Sequence, residues 1–214
     1  MRKILGFALM LLIPGMMPGA TIIWVADGDP DDPTNSSVAS SQAVAAGWTH
    51  AGSFSNVAIT APVAQFGSAV TTLRAYLTTS IGAGTTQGAH EIATTSFSTA
   101  TQANPFPYIT IFSGLSLGPG TYYLIMSWES GGSAASWNAD TPTSVSSDVG
   151  ATVAVGRLLA FSPFETYLPA SNFTFISGAE PLYQVTGDSA IPEPSAMALV
   201  GLGLVGLAAI RRRR

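Results

Sequence analysis

The chain has 214 residues, of which 9% are charged and 47% hydrophobic, and it contains no cysteine, which excludes disulfides, thiolate metal sites and cysteine nucleophiles. Charge is segregated: Arg2 and Lys3 stand near the N-terminus and Arg211, Arg212, Arg213 and Arg214 at the C-terminus, so residues 21–190 hold two basic side chains, Arg74 and Arg157, against eleven acidic ones, a net charge of −9. A domain so acidic repels phosphate backbones, and nucleic acid is excluded as a partner.

Arg2 and Lys3 are followed by an apolar stretch at 4–13, by Pro14 and then by the small residues Gly19 and Ala20. The stretch is too short to span a bilayer and matches the apolar segment of a secretory signal peptide. Residues 1–20 are therefore read as a signal peptide for Sec-type export, with the cleaved bond between Ala20 and Thr21.

Asp27, Asp29 and Asp31 alternate, with Asp32 adjacent. The spacing is that of the first ligands of a calcium loop, but an EF-hand needs Gly at the sixth place and Glu at the twelfth. Asp32 and Val38 occupy those places. A solvated acidic arm over 27–34 is expected, with a weak surface calcium site as the competing reading. No other metal or cofactor is expected.

The Ala/Ser-rich segment 38–47 reads as a short connecting helix. Beyond it the apolar runs are short, β-branched and bounded by turn residues. Strands are predicted at 22–25, 55–60, 70–78, 91–97, 108–112, 121–128, 151–155, 158–161, 173–176 and 182–186. In 121–128, Tyr122, Leu124, Met126 and Trp128 share one face, which is assigned to the core. Gly118-Pro119-Gly120 imposes a turn before it. Many short strands with such turns predict an all-β domain over 21–188, a β-sandwich or jelly roll, followed by a linker at 187–191.

Catalytic patterns are weak. Gly114-Leu115-Ser116-Leu117-Gly118 has the spacing of a nucleophile elbow, but the elbow needs a helix straight after the serine. Here Pro119 and Gly120 intervene, and both histidines, His50 and His90, lie upstream. His90-Glu91 begins like a zinc-binding His-Glu-x-x-His, but Thr94 stands where the second histidine belongs. Glu129, Asp140, Asp148 and Glu165 offer carboxylates for a glycosidase pair, yet nothing in the sequence brings two of them together. The chain is expected not to be an enzyme. Trp137, between Gly/Ser-rich 131–136 and Asn138, is the residue singled out for stacking on a sugar ring, against the alternative of a tryptophan covering a sheet edge.

The C-terminal segment carries the most specific pattern. Pro192-Glu193-Pro194 precedes an apolar run at 196–210, which precedes Arg211–Arg214. Fifteen residues of helix cover ~22 Å, short of the ~30 Å hydrocarbon core. Flanking arginines extend that reach by snorkelling, and they prefer the cytoplasmic side, which puts the preceding domain outside. The arrangement closely resembles the PEP-CTERM sorting signal of Gram-negative bacteria. Residues 115–128 with Trp137-Asn138, and the strand 182–187, also resemble segments of ectodomains that carry this tag. The resemblance implies a sorting unit at 189–214, held in the inner membrane by its helix and cut by an exosortase near Pro192, Glu193 and Pro194. It also implies a destination at the cell surface or in an exopolysaccharide biofilm matrix. The expected role is a structural protein there, with a carbohydrate-binding module as the alternative and a glycan-active enzyme after it.

Overall fold

A computed structural model describes residues 19–27, 34–67, 69–99, 101, 106–140 and 143–189. The signal peptide and the sorting unit from residue 190 onward lie outside the described residues, as do Asp29 and Asp31. In chain order the strands are β1 (Ala20–Asp27), β2 (Thr34–Ala39), β3 (Gln42–His50), β4 (Phe54–Gln65), β5 (Thr71–Thr78), β6 (Glu91–Ser98), β7 (Tyr108–Leu117), β8 (Gly120–Gly131), β9 (Ala134–Asp140), β10 (Thr143–Ser146), β11 (Thr152–Phe161), β12 (Thr174–Phe175), β13 (Glu180–Pro181) and β14 (Tyr183–Ser189). One four-residue helix, α1 (Gln87–His90), leads into β6. The expected all-β class is observed.

The fourteen strands join in one antiparallel sheet whose main path runs β10-β1-β14-β4-β9-β2-β3-β8-β5-β6. Strand β4 connects two arms of it. Its residues 54–62 pair with β14 and β7, whereas Val63, Ala64 and Gln65 pair with β9. The arms face each other across a single core. Ile22, Val57, Ile59 and Val185 come from the first arm; Val44, Leu73, Leu77, Leu124 and Met126 come from the second. Trp48 on β3 lies 5.8 Å from Tyr183 on β14 and 5.7 Å from Tyr122 on β8, ring centre to ring centre. The Tyr183 hydroxyl also donates to the Gly47 carbonyl at 3.3 Å, tying the arms together. Burial and the nearby Glu180 charge push the Tyr183 phenol up, so it stays a neutral donor.

The Gly-Pro-Gly turn carries the chain from one arm to the other, because β7 pairs with β4 and β8 pairs with β3 and β5. The Tyr122 hydroxyl closes it by donating to the Gly118 carbonyl at 2.7 Å. Tyr122, Leu124 and Met126 line the core as their spacing predicts, while Trp128 is only half-buried.

The helix expected at 38–47 is not formed. The segment is the end of β2, a turn at Ser40-Ser41 and most of β3. Strand β3 lies between β8 and β11 and is buried on both faces. Small residues there serve close packing, not helix propensity: a Cβ on Gly47 would meet Tyr123 Cδ1 at 2.9 Å and the Tyr122 carbonyl at 3.0 Å. The linker expected from residue 187 also begins later. Asp188 and Ser189 still pair with Ser55 and Phe54, so β14 runs to Ser189. The two strands expected at 151–155 and 158–161 are one, β11, irregular between Val153 and Leu158.

Candidate functional site

Alternation along β1 puts Ile23 and Val25 in the core and turns Trp24 outward. Trp24 is 41% exposed, Trp128 is half-buried, and Trp48 and Trp137 are fully enclosed. Register partners share a face, so a row crosses the outside of the first arm: Ser146, Trp24, Gln184, Thr60 and Thr110. Tyr108, 43% exposed, lies beside Trp24 and Asp27. Burial pushes its phenol up, with the Trp24 contact opposing and the Asp27 charge adding to the shift. An indole flanked by hydroxyls and an amide on a pleated surface can stack on an apolar ring face while the neighbours bond its hydroxyls.

The outer face of the second arm is different. Residues 162–173 fold over β5 and β8 and make a second small core with Ala45, Ile125 and Leu158, packed by Tyr76, Leu168 and Phe173. The segment is held at several points. Gly82 N–H donates to the Pro169 carbonyl at 2.8 Å, Glu165 N–H donates to Ser171 Oγ at 3.0 Å, and the Tyr167 hydroxyl donates to Glu91 at 2.9 Å. Tyr167 meets Tyr76 edge to face at 6.1 Å. Burial, then the Glu91 carboxylate, push the Tyr167 phenol up.

A groove of about 290 Å³ opens between this segment and the sheet, lined among others by Arg74, Tyr76, Trp128, Glu129, Phe164 and Glu165. Arg74 and Glu129 form an ion pair across β5 and β8. The register shift between Thr72 and Leu73 leaves Glu129 as the extra residue of a bulge, beside Arg74. The Ser96 hydroxyl and the Arg74 guanidinium hold the Glu129 carboxyl below the usual carboxylate range. Of the four candidate carboxylates, the structure brings only Glu129 and Glu165 to one groove. Glu129 is held ionised, the opposite of what a proton-donating acid requires.

The other predicted sites resolve individually. Trp137 is at 0% exposure on β9 and donates its indole N–H to the Leu182 carbonyl at 2.8 Å. A fully enclosed indole presents no face to a sugar, so Trp137 is not the sugar-stacking residue it was a candidate for but a core tryptophan. Its Gly/Ser-rich surroundings misled, because β9 is flanked by β2 and β4 and every one of its residues is buried. Asp27 ends β1 opposite Thr143. Among the described residues no three His, Asp or Glu side chains group as a metal site. Asp140 pairs with Glu180, and Asp148 binds the Thr21 backbone. Ser116 sits exposed on the extended strand β7, not on an elbow. His90 ends α1, and His50 is buried between Tyr122 and Phe54. Sequence reasoning passed over Trp24 and Tyr76. A single tryptophan between Ile23 and Val25 was the available signal, since strict alternation makes it the outward residue.

Strand β14 ends at Ser189, and the next residue begins a match to the family model described as PEP-CTERM protein-sorting motif, over residues 190–214. The chain carries a PEP-CTERM sorting signal. Such a motif marks an exported protein that is sorted by an exosortase and whose C-terminus is membrane-anchored before processing. A comparison with curated proteins finds no match. Among the described residues no helix is long and apolar enough to cross a membrane.

Proposed function

We propose that this chain is a non-enzymatic structural protein of the cell surface or exopolysaccharide matrix. Its folded sheet serves as a sandwich-like ectodomain, delivered by Sec-type export and processed by an exosortase. The observation that carries this reading is the sorting motif at 190–214, immediately after Ser189 of β14. The whole described sheet therefore lies on the exported side of the processing region. A low-charge, acidic composition rich in Ser, Thr and Gly suits a hydrated polymer matrix and resists nonspecific binding to polyanions.

Intact-mass analysis of protein recovered from the extracellular matrix of native cells tests the reading. Loss of both terminal segments from the 22.0 kDa chain is expected. Recovery of the uncut chain from the cytosol overturns it.

Carbohydrate binding within the matrix is a second reading, favoured by the exposed Trp24 in its row of hydroxyl and amide side chains. A glycan array probed with the exported protein tests it. Binding abolished by Trp24→Ala and kept by Tyr76→Ala supports the first-arm face. Binding lost only with Tyr76→Ala moves the site to the groove, and no binding removes this second reading.

A further inference from the structure

The turn 147–151 is built around β1. Ser147 Oγ donates to the Ile22 carbonyl at 2.5 Å and accepts the N–H groups of Val149 at 3.2 Å and Ala151 at 2.9 Å. The next residue, Asp148, donates its N–H to the Thr21 carbonyl at 2.9 Å. Its carboxylate in turn accepts the Thr21 N–H at 2.8 Å. Both polar groups of the Thr21 backbone are thus held by one residue, and the carboxylate is aimed at the Thr21 nitrogen by a turn fixed through Ser147.

Among the described residues no arginine is placed to neutralise this carboxylate. Of the two basic residues in 21–190, Arg74 pairs with Glu129 and Arg157 donates to the Ser177 carbonyl at 3.4 Å. Yet the nitrogen that Asp148 faces belongs to the bond expected to be cut on export: an apolar stretch, Pro14 and the small residues Gly19 and Ala20 precede it, and β1 begins at Ala20.

We propose that Asp148 is the receptor for a new N-terminus, the α-ammonium that signal peptidase frees at Thr21. Water supplies the balance of the step. Its hydroxyl adds to the Ala20 carbonyl carbon, the Ala20–Thr21 C–N bond breaks, and its proton goes to the Thr21 nitrogen. The products at neutral pH are the Ala20 carboxylate, which leaves with the signal peptide, and the Thr21 ammonium. A bond inside a paired strand is out of a protease's reach, so the cut precedes the docking of β1. When β1 then pairs with β14 and β10, the Thr21 nitrogen arrives against Asp148 as a cation, and a bond from a neutral amide becomes an ion pair. Removal of Ala20 gives up only its pairing opposite Gly187 at the end of β14. The docked terminus holds the first residue of the mature strand in place without a preceding residue, where a strand end otherwise frays. This device is independent of the matrix role and of the sorting motif.

The chain's only lysine, Lys3, lies upstream of the cut, so the mature protein carries one primary amine. N-terminal sequencing of protein exported by native cells is expected to begin at Thr21. Reductive methylation with labelled formaldehyde then gives a single amine resonance to titrate by NMR. Its pKa is expected to be higher in the folded protein than in the same protein unfolded in urea, at low salt. Asp148→Asn, which keeps an acceptor oxygen but not the charge, is expected to abolish that difference. A mature chain beginning at another residue overturns the proposal. So does a folded wild-type amine that titrates with the unfolded one, a result that needs no variant, or a raised pKa that survives Asp148→Asn.

Discussion

Ala20, the first residue of β1, lies opposite Gly187 in β14, two residues before that strand ends. Because the two strands are antiparallel, the chain enters and leaves the sheet at the same pole. The expected signal peptide and the sorting motif therefore connect, in the chain, to neighbouring strands of the sheet.

Gly187 is at this pole for lack of space. A Cβ there would meet Val57 Cγ2 at 2.9 Å and Ile22 Cδ1 at 3.2 Å, both on short, stiff or enclosed side chains. Gly187→Ala is expected to lower stability by about 1–3 kcal/mol through overpacking. Urea unfolding followed by tryptophan fluorescence reads the effect, and an unchanged midpoint would show that Val57 and Ile22 yield freely.

Trp137 fills the core between β9 and the 182 carbonyl. Trp137→Ala leaves a cavity and an unpaired Leu182 carbonyl, for an expected loss of about 3–5 kcal/mol. Trp24→Ala, on the exposed face, is expected to change stability by less than about 1 kcal/mol. Thermal melts of the two variants distinguish a structural indole from a surface one.

His50 is expected to make the sheet acid-sensitive. Its ring stacks on Tyr122 at 5.1 Å and meets Phe54 edge-on, with Nδ1 bonded to the Gly52 carbonyl at 3.0 Å. Burial pushes its pKa below the usual value of 6.5, partly offset by the Gly52 carbonyl. The unfolded chain then takes up the proton first. The stabilisation by neutral His50 is full above about pH 6.5, shrinks as pH falls below it, and levels off beneath the lowered folded pKa. Urea midpoints measured from pH 8 to 5 are expected to fall in the wild type and to show a smaller decline in His50→Phe. Equal slopes would assign the acid sensitivity elsewhere.

The Arg74–Glu129 pair bridges β5 and β8 with its side chains 48% and 26% exposed. Solvent and salt screen such a pair, so Arg74→Met is expected to cost less than about 1 kcal/mol, and less again at 1 M salt. Denaturation of wild type and variant at two salt concentrations checks this. A larger cost that persists at high salt would mean that the aliphatic stem of Arg74, not its charge, supports the groove.

The sequence by itself determined what local order can carry. Short β-branched runs between turn residues marked most of the strands, and alternation in β8 marked Tyr122, Leu124 and Met126 as inward, because a half-buried strand writes a period of two into its own side chains. The terminal basic clusters, the apolar runs and Pro192-Glu193-Pro194 spelled out export and sorting without any fold. Tertiary structure decided the rest. β3 was hidden because burial on both faces erases the alternation and leaves an Ala-rich run that looks helical. Trp137 was misplaced because burial depends on β2 and β4 beside β9, and Asp148 meets Thr21 across 127 residues of chain. Such meetings follow from which strands become neighbours, and strand neighbours are chosen by the packing of the whole core, which no local window of sequence contains.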